Sequence, residues 1–422
     1  MGVVNRLVGG MPIPRMVRVR QEFDGAHLAD VGGAVRETLR GSGVLRGVKP
    51  GMRVAVTAGS RGIANIALIL RTITEALREA GAAPFVVPAM GSHGGATAEG
   101  QLDVLRSLGI TEDYLGCPVE SSMEVREIGR TPDGRPVQID ARAAAADGIV
   151  AVNRVKPHTS FTGPYESGLM KMLAIGLAKQ TGAEVCHQEG YANMAANIEK
   201  YGRAILRDAK VLFGVAILEN AYDQTCEVAA LPPEEIAKRE PALLLRAKAL
   251  MPGILLPNVD VLVVDRMGKN ISGLGMDPHI TGCFATGYAS GPPRPGKLAV
   301  LDLTDETHGN ANGIGVADVT TRRLLERFDP EVTYPNAITA TLTQAVRMPL
   351  VMDSHKLAIQ AAIKTAPGFD KARIRMVRLR DTLHLSEIFI SEAMLPDAAA
   401  NPRVEVLGEP EELSFDGEGN LF

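Results

Sequence analysis

The chain has 422 residues, of which 45% are hydrophobic and 22% charged, with 45 basic and 49 acidic residues giving a formal net charge of −4. A single core seldom grows beyond roughly 250–300 residues, so two domains are expected. The balanced charge, without basic runs, argues against nucleic acid as a partner. No apolar stretch approaches the ~20 residues needed to span a bilayer, and no long apolar block opens the sequence as in a secretory signal, so a cytoplasmic protein is expected. Cys117, Cys186, Cys226 and Cys283 lie far apart, which argues against a zinc ribbon or a redox dithiol. The chain contains no Trp.

In chain order, Arg53 to Thr57 reads as a strand that runs into Ala58-Gly59-Ser60-Arg61-Gly62. Ile63 to Glu79 then has helical spacing, with Ile66, Leu70, Ile73 and Leu77 on one face, and Gly81 marks its end. Phe85 to Ala89 is the next strand and runs into Gly91-Ser92-His93-Gly94-Gly95; Gly100 to Leu108 follows as a helix. Gly148 to Asn153 is a third strand, followed by a loop from Arg154 to Pro164, and Val211 to Leu218 is a fourth. Pro232 to Pro257 reads as a helical connector. A second set of strands follows at Val259–Asp265, Lys297–Leu303, Pro349–Met352, Arg373–Leu379 and Glu387–Ile390.

Strands alternating with helices predict an α/β fold: two α/β domains, 1–255 and 256–422, with largely parallel sheets and an active-site cleft between them. Ligands of such sheets sit beyond the carboxyl ends of the strands. Three consecutive strands here end in loops that carry Arg61, His93 and His158.

Each motif has two readings when taken alone. The free amides of Gly59-Ser60-Arg61-Gly62, beside a guanidinium, suit a phosphate or carboxylate; the same residues also make a tight turn capped by Ser60. His93 and His158 suit proton transfer near neutrality, or simply bond to backbone. Lys171 lies in a strongly apolar helix, where an ammonium must snorkel, pair or become neutral, and a neutral amine is a nucleophile. His187, sixteen positions on and past a turn at Thr181-Gly182, reads as a structural histidine when taken alone, or as a nickel ligand when a cofactor supplies the other donors. Its neighbour Cys186 points to the opposite face if the segment is a strand. Lys269, in a loop after a strand, suits a substrate carboxylate or solvent. The segment 305–318 reads as a hydrogen-bonded polar loop in preference to a divalent-metal site.

In series, these segments resemble the lactate racemase family, across both halves of the chain and most specifically from His158 to His187. The resemblance implies a nickel-pincer nucleotide, a nicotinate-derived mononucleotide with nickel in a sulfur–carbon–sulfur pincer, bound covalently to Lys171. It implies His187 as the nickel ligand and His93 and His158 as the acid and base. Gly59, Ser60 and Arg61 would bind cofactor, and Arg61 with Lys269 would bind the substrate carboxylate. The implied activity is that of a racemase or epimerase of a 2-hydroxy acid by reversible hydride transfer, in which two bases serve opposite faces of one carbon. Its implied partners are a small-molecule 2-hydroxy acid and the enzymes that mature the cofactor; a homo-oligomer stays open.

Ala58 stands where lactate-specific members carry an acidic residue, and no indole is available, so the substrate wall differs from one built for lactate. Two other readings stand beside this one: the same cofactor in a dehydrogenation or dehydration, and a non-catalytic nickel- or nucleotide-binding protein. A nicotinamide dehydrogenase is disfavoured because no Gly-x-Gly-x-x-Gly turn follows a strand with an acidic residue ~20 places on.

Overall fold

In the computed structural model, residues 2–60, 62–368 and 370–422 are described. Arg61 lies outside the described residues. The chain forms two compact units, Asp24–Met251 and a second built from Met1–Phe23 together with Pro252–Phe422.

The first strand, β1 (Met16–Gln21), explains why the second unit reaches back to the start of the chain. Its residues alternate, with Met16, Val17, Val19 and Gln21 buried and Arg18 and Arg20 exposed. It pairs antiparallel with strands from the end of the sequence, and Arg20 bridges Glu405 at 2.8 Å and Glu387 at 3.2 Å. The expected division at 255/256 kept these residues with the first domain. A pairing across more than 350 positions leaves no local signal in the sequence.

The unit Asp24–Met251 holds a five-stranded sheet and a hairpin. Its strands are β2 (Arg53–Ala58), β3 (Ala83–Pro88), β4 (Val125–Arg130), β5 (Pro136–Asp140), β6 (Gly148–Arg154), β7 (Val211–Glu219) and β8 (Thr225–Leu231). The sheet order is β3-β2-β6-β7-β8, parallel except for β8, and β4-β5 is the separate hairpin. The central strands are buried on both faces, hence their unbroken apolar runs. Val54 and Val56 pack to one side with Ile69, Leu70, Ile73 and Leu77 of the helix Ile66–Glu79. Ala55 packs to the other side with Phe85, Leu169, Met170 and Leu173. The second side therefore carries the segment around Lys171. The expected connector is one helix, Pro233–Leu250.

The second unit is a mixed eight-stranded sheet. To β1 it adds β9 (Val261–Met267), β10 (Lys297–Leu303), β11 (Val319–Thr321), β12 (Leu350–Met352), β13 (Met376–Leu379), β14 (Glu387–Ser391) and β15 (Val404–Val406). The order is β12-β11-β10-β9-β13-β14-β1-β15, with the first five strands parallel. The segment 305–318 is tied down by hydrogen bonds, including Thr307 Oγ1 to Asn310 O at 2.7 Å and Asn312 Nδ2 to Gly273 O at 3.3 Å. Among the described residues, no group of three or more His, Cys, Asp or Glu is placed to hold a metal ion. No helix among them is long and apolar enough to cross a membrane.

Candidate active site

The three strands whose loops carry Ser60, His93 and His158 are β2, β3 and β6, and they are neighbours in one sheet. Their carboxyl ends meet the segment that carries Lys171. Asn153, at the end of β6, donates from Nδ2 to Gly168 O at 2.9 Å. Gly91 N–H donates to Gly176 O at 3.0 Å, and Ala89 N–H donates to Ala58 O at 2.7 Å. A Cβ on Gly176 would lie only 2.5 Å from Ala89 O, so glycine at that position allows the close approach.

Lys171 ends a short α-helical turn, Leu169–Lys171, that continues as a π-helical turn over Met172–Gly176. Insertions of this kind concentrate at functional sites. Leu169, Met170, Met172 and Leu173 are buried while Lys171 is partly exposed. The apolar side chains thus anchor the turn and the amine is delivered to its open edge. Glu240, itself buried, accepts from Met170 N–H at 2.9 Å. Burial pushes this carboxyl up to about 7, against the opposing pull of the Met170 and Leu169 amides.

His187 lies on the helix Lys179–Gln188, which also takes in Thr181 and Gly182, where a turn is expected from the sequence. Gly182 is inside that helix because a Cβ there would fall 2.3 Å from the Ala178 methyl. Cys186 is buried with its Sγ 3.9 Å from Ala174 O, and burial pushes the thiol up to about 12, so it is an inert core residue.

The Nδ1 of His187 lies 2.6 Å from Ala183 O. A carbonyl only accepts, so this contact places the ring proton on Nδ1 and leaves the Nε2 lone pair for a metal or another donor. Burial first, and the positive charge of Lys171 after it, hold the imidazole below its ordinary pKa, opposed by the bond to Ala183. Lys171 and His187 therefore share one electrostatic environment.

The other two histidines are held differently. His93 Nδ1 bonds Ser60 Oγ, which joins the β2 and β3 loops. A hydroxyl can donate or accept, so this pairing permits either tautomer of His93. His158 stacks on Phe161 at 4.2 Å between ring centroids, and its Nδ1 accepts from Ser160 N–H at 3.2 Å. That amide can only donate, so the neutral ring of His158 carries its proton on Nε2. Tyr191 connects this loop to the metal-ligand candidate: it bonds Ser160 and meets His187 edge-on at 6.3 Å.

Several supporting residues were not read from the sequence: Gln101, Asp140, Asn153, Glu166, Lys179, Tyr191 and Glu240. Lys179 alone carried a usable signal, since it too closes an apolar run. Lys269 belongs to the other unit, where its Nζ donates to Gly273 O at 2.8 Å.

Residues 20–198 match the family described as the lactate racemase N-terminal domain. Over this segment the chain is similar to a lactate racemase N-terminal domain. Ser60, His93, His158, Lys171 and His187 all fall inside the matched stretch, and Lys269 falls outside it. The chain is also similar to the solved lactate racemase apoprotein from Thermoanaerobacterium thermosaccharolyticum, at 12% identity and a TM-score of 0.51, over 80% of this chain and 87% of that one. A structural-genomics target from Thermotoga maritima is similar at 11% identity and a TM-score of 0.53, over 86% of this chain and 99% of that one. At these identities the likeness is one of fold. No curated protein matches the chain.

Proposed function

We propose that the protein is a racemase or epimerase of a small 2-hydroxy acid, working with a nickel-pincer nucleotide joined to Lys171. The observation that carries this reading is the state of His187. Its Nδ1 proton is committed to Ala183 O at 2.6 Å, its pKa is lowered, and Lys171 is close enough to contribute to that lowering. A neutral imidazole with an available Nε2 beside an amine on an open edge suits a metallated ring bonded to that amine.

Lys171 would hold the group covalently and His187 would supply the protein nitrogen to nickel. Gly59 and Ser60, in the turn after β2, suit its phosphate, and we assign Arg61 to the same anion site. When bound, the group would supply the acceptor for the hydrogen that leaves C2 with its electron pair.

The remaining chemistry falls to the chain. His93, paired with a hydroxyl that can donate or accept, takes the proton of the substrate hydroxyl. Neutral His158 presents Nε2–H and gives a hydrogen bond from its side; it can give a proton only after Nδ1 is protonated as well. Returning the proton in the opposite sense requires each ring to exchange its state, and for His158 that means releasing the Ser160 amide. Arg61 is assigned to the substrate carboxylate. Ala58, buried at the end of β2, offers a ligand no polar group, which together with the absence of Trp favours a 2-hydroxy acid other than lactate.

The test is to load the protein with the cofactor and incubate single enantiomers of a broad panel of 2-hydroxy acids. Approach to an equilibrium mixture of configurations at C2 is expected for at least one acid. No inversion across the panel would overturn the reading, and net release of a 2-keto acid would move it to a dehydrogenase.

A further inference from the structure

Lys179 is wholly buried, with two carbonyl oxygens and one carboxylate oxygen around its ammonium. Its Nζ donates to Pro88 O at 2.6 Å and to Gln101 Oε1 at 3.1 Å, and it pairs with the equally buried Asp140 carboxylate at 3.0 Å. Its backbone sits in the left-handed region, at φ 54°, which a side chain with Cβ adopts only when its surroundings hold it there.

The consequence lies one residue further on. An ammonium can only donate, so it fixes which end of the Gln101 amide faces it: the oxygen turns to Lys179 and the NH2 turns away. That NH2 donates to Gly91 O at 2.9 Å and to His93 O at 3.2 Å. Gln101 itself is buried in the helix Ala98–Ser107, whose cap Thr97 receives Gly100 N–H at 3.0 Å. Lys179 also opens the helix that bears His187. One buried cation thus ties the end of β3, the His93 loop and the His187 helix together.

We propose that Gln101, oriented by Lys179, is a positioning residue that sets the His93 imidazole relative to His187. This rests on the reading above in assigning His93 a role in proton transfer, but the geometry and its test do not need the cofactor. A loop rich in left-handed glycines, with Gly91 at φ 59°, Gly94 at φ 68° and Gly95 at φ 64°, has little rigidity of its own, so the two bonds from Gln101 define where His93 rests.

The test uses the full chain without cofactor and two variants, Gln101→Glu and Gln101→Met. The first keeps an acceptor for Lys179 and loses the NH2 donors; the second loses both contacts without adding charge. Imidazole nitrogen resonances are recorded against pH, and His93 is assigned through its loss in His93→Gln. The His93 resonances and titration midpoint are expected to move in whichever variant folds, while those of His158 stay in place. Resonances and midpoint of His93 that coincide with those of the native protein in a folded variant would overturn the assignment of Gln101.

In the loaded enzyme, kcat is expected to fall by about tenfold to a hundredfold with KM changed by less than about twofold, as for a displaced catalytic group. If the native loaded protein inverts nothing while His93 still shifts, the racemase reading fails and the positioning role of Gln101 stands.

Discussion

The backbone N–H of His158 donates to the Glu166 carboxylate at 2.8 Å, and the side chain of Glu166 is buried. The same carboxylate accepts from Gly163 N–H at 3.2 Å and from Lys248 Nζ at 2.6 Å. Both ends of the loop therefore hang on one acid, which is held in turn by a lysine from the helix Pro233–Leu250. Replacing Glu166 with Ala leaves the two amides without this acceptor. A stability loss of about 1–3 kcal/mol in chemical denaturation is expected, with a fall in the rate of inversion as His158 is released. Unchanged stability and rate would show that the loop is held by other contacts.

Glu240 gives a pH dependence of definite sign. Its carboxyl rises from an ordinary 4.5 to about 7 because it is buried beneath the Lys171 turn. The folded state therefore keeps the proton that the unfolded chain releases. The stability this contributes is present below about pH 4.5 and is lost as the pH rises through about 7. In Glu240→Gln this loss is absent. From pH 4.5 to 7 the variant should gain on the native protein by roughly 3 kcal/mol in unfolding free energy. Parallel curves of stability against pH for the two proteins would contradict it.

His93 and His158 are expected to be needed for turnover and not for carrying the cofactor. His93→Ala and His158→Ala should each retain the nucleotide adduct and lose inversion by about 10²-fold or more. Mass spectrometry and a chiral assay on the same preparations check both halves. Loss of the adduct in either variant would move that histidine from proton transfer to cofactor binding.

How much of this was legible in the sequence depended on whether the cause was local. Strands β2, β3, β6 and β7 were readable because burial on both faces leaves unbroken apolar runs such as Val54-Ala55-Val56 and Ile149-Val150-Ala151-Val152. The placement of β1 was not readable, because its partners lie at the other end of the chain. Gly182 was misleading: glycine commonly breaks helices, but here the Ala178 methyl 2.3 Å from its would-be Cβ makes it the residue that fits inside one. As a result His187 was expected beyond a turn and not on the helix that begins at Lys179.

The two lysines of that stretch show the same limit. From the sequence, the problem of a charge in an apolar run falls on Lys171. Its amine in fact sits at a partly open edge, whereas Lys179 is wholly buried and solves the problem with an ion pair to Asp140. Asp140 is 39 positions away, and only the fold could reveal that pairing.

The most direct measurement is the intact mass and metal content of the full chain produced together with the cofactor-building enzymes, followed by peptide mapping. A nucleotide-sized adduct on the peptide containing Lys171, with about one nickel per chain and both lost in Lys171→Arg, is the expected result. Matured protein whose Lys171 carries no adduct, or an adduct that maps to any other residue, would contradict it.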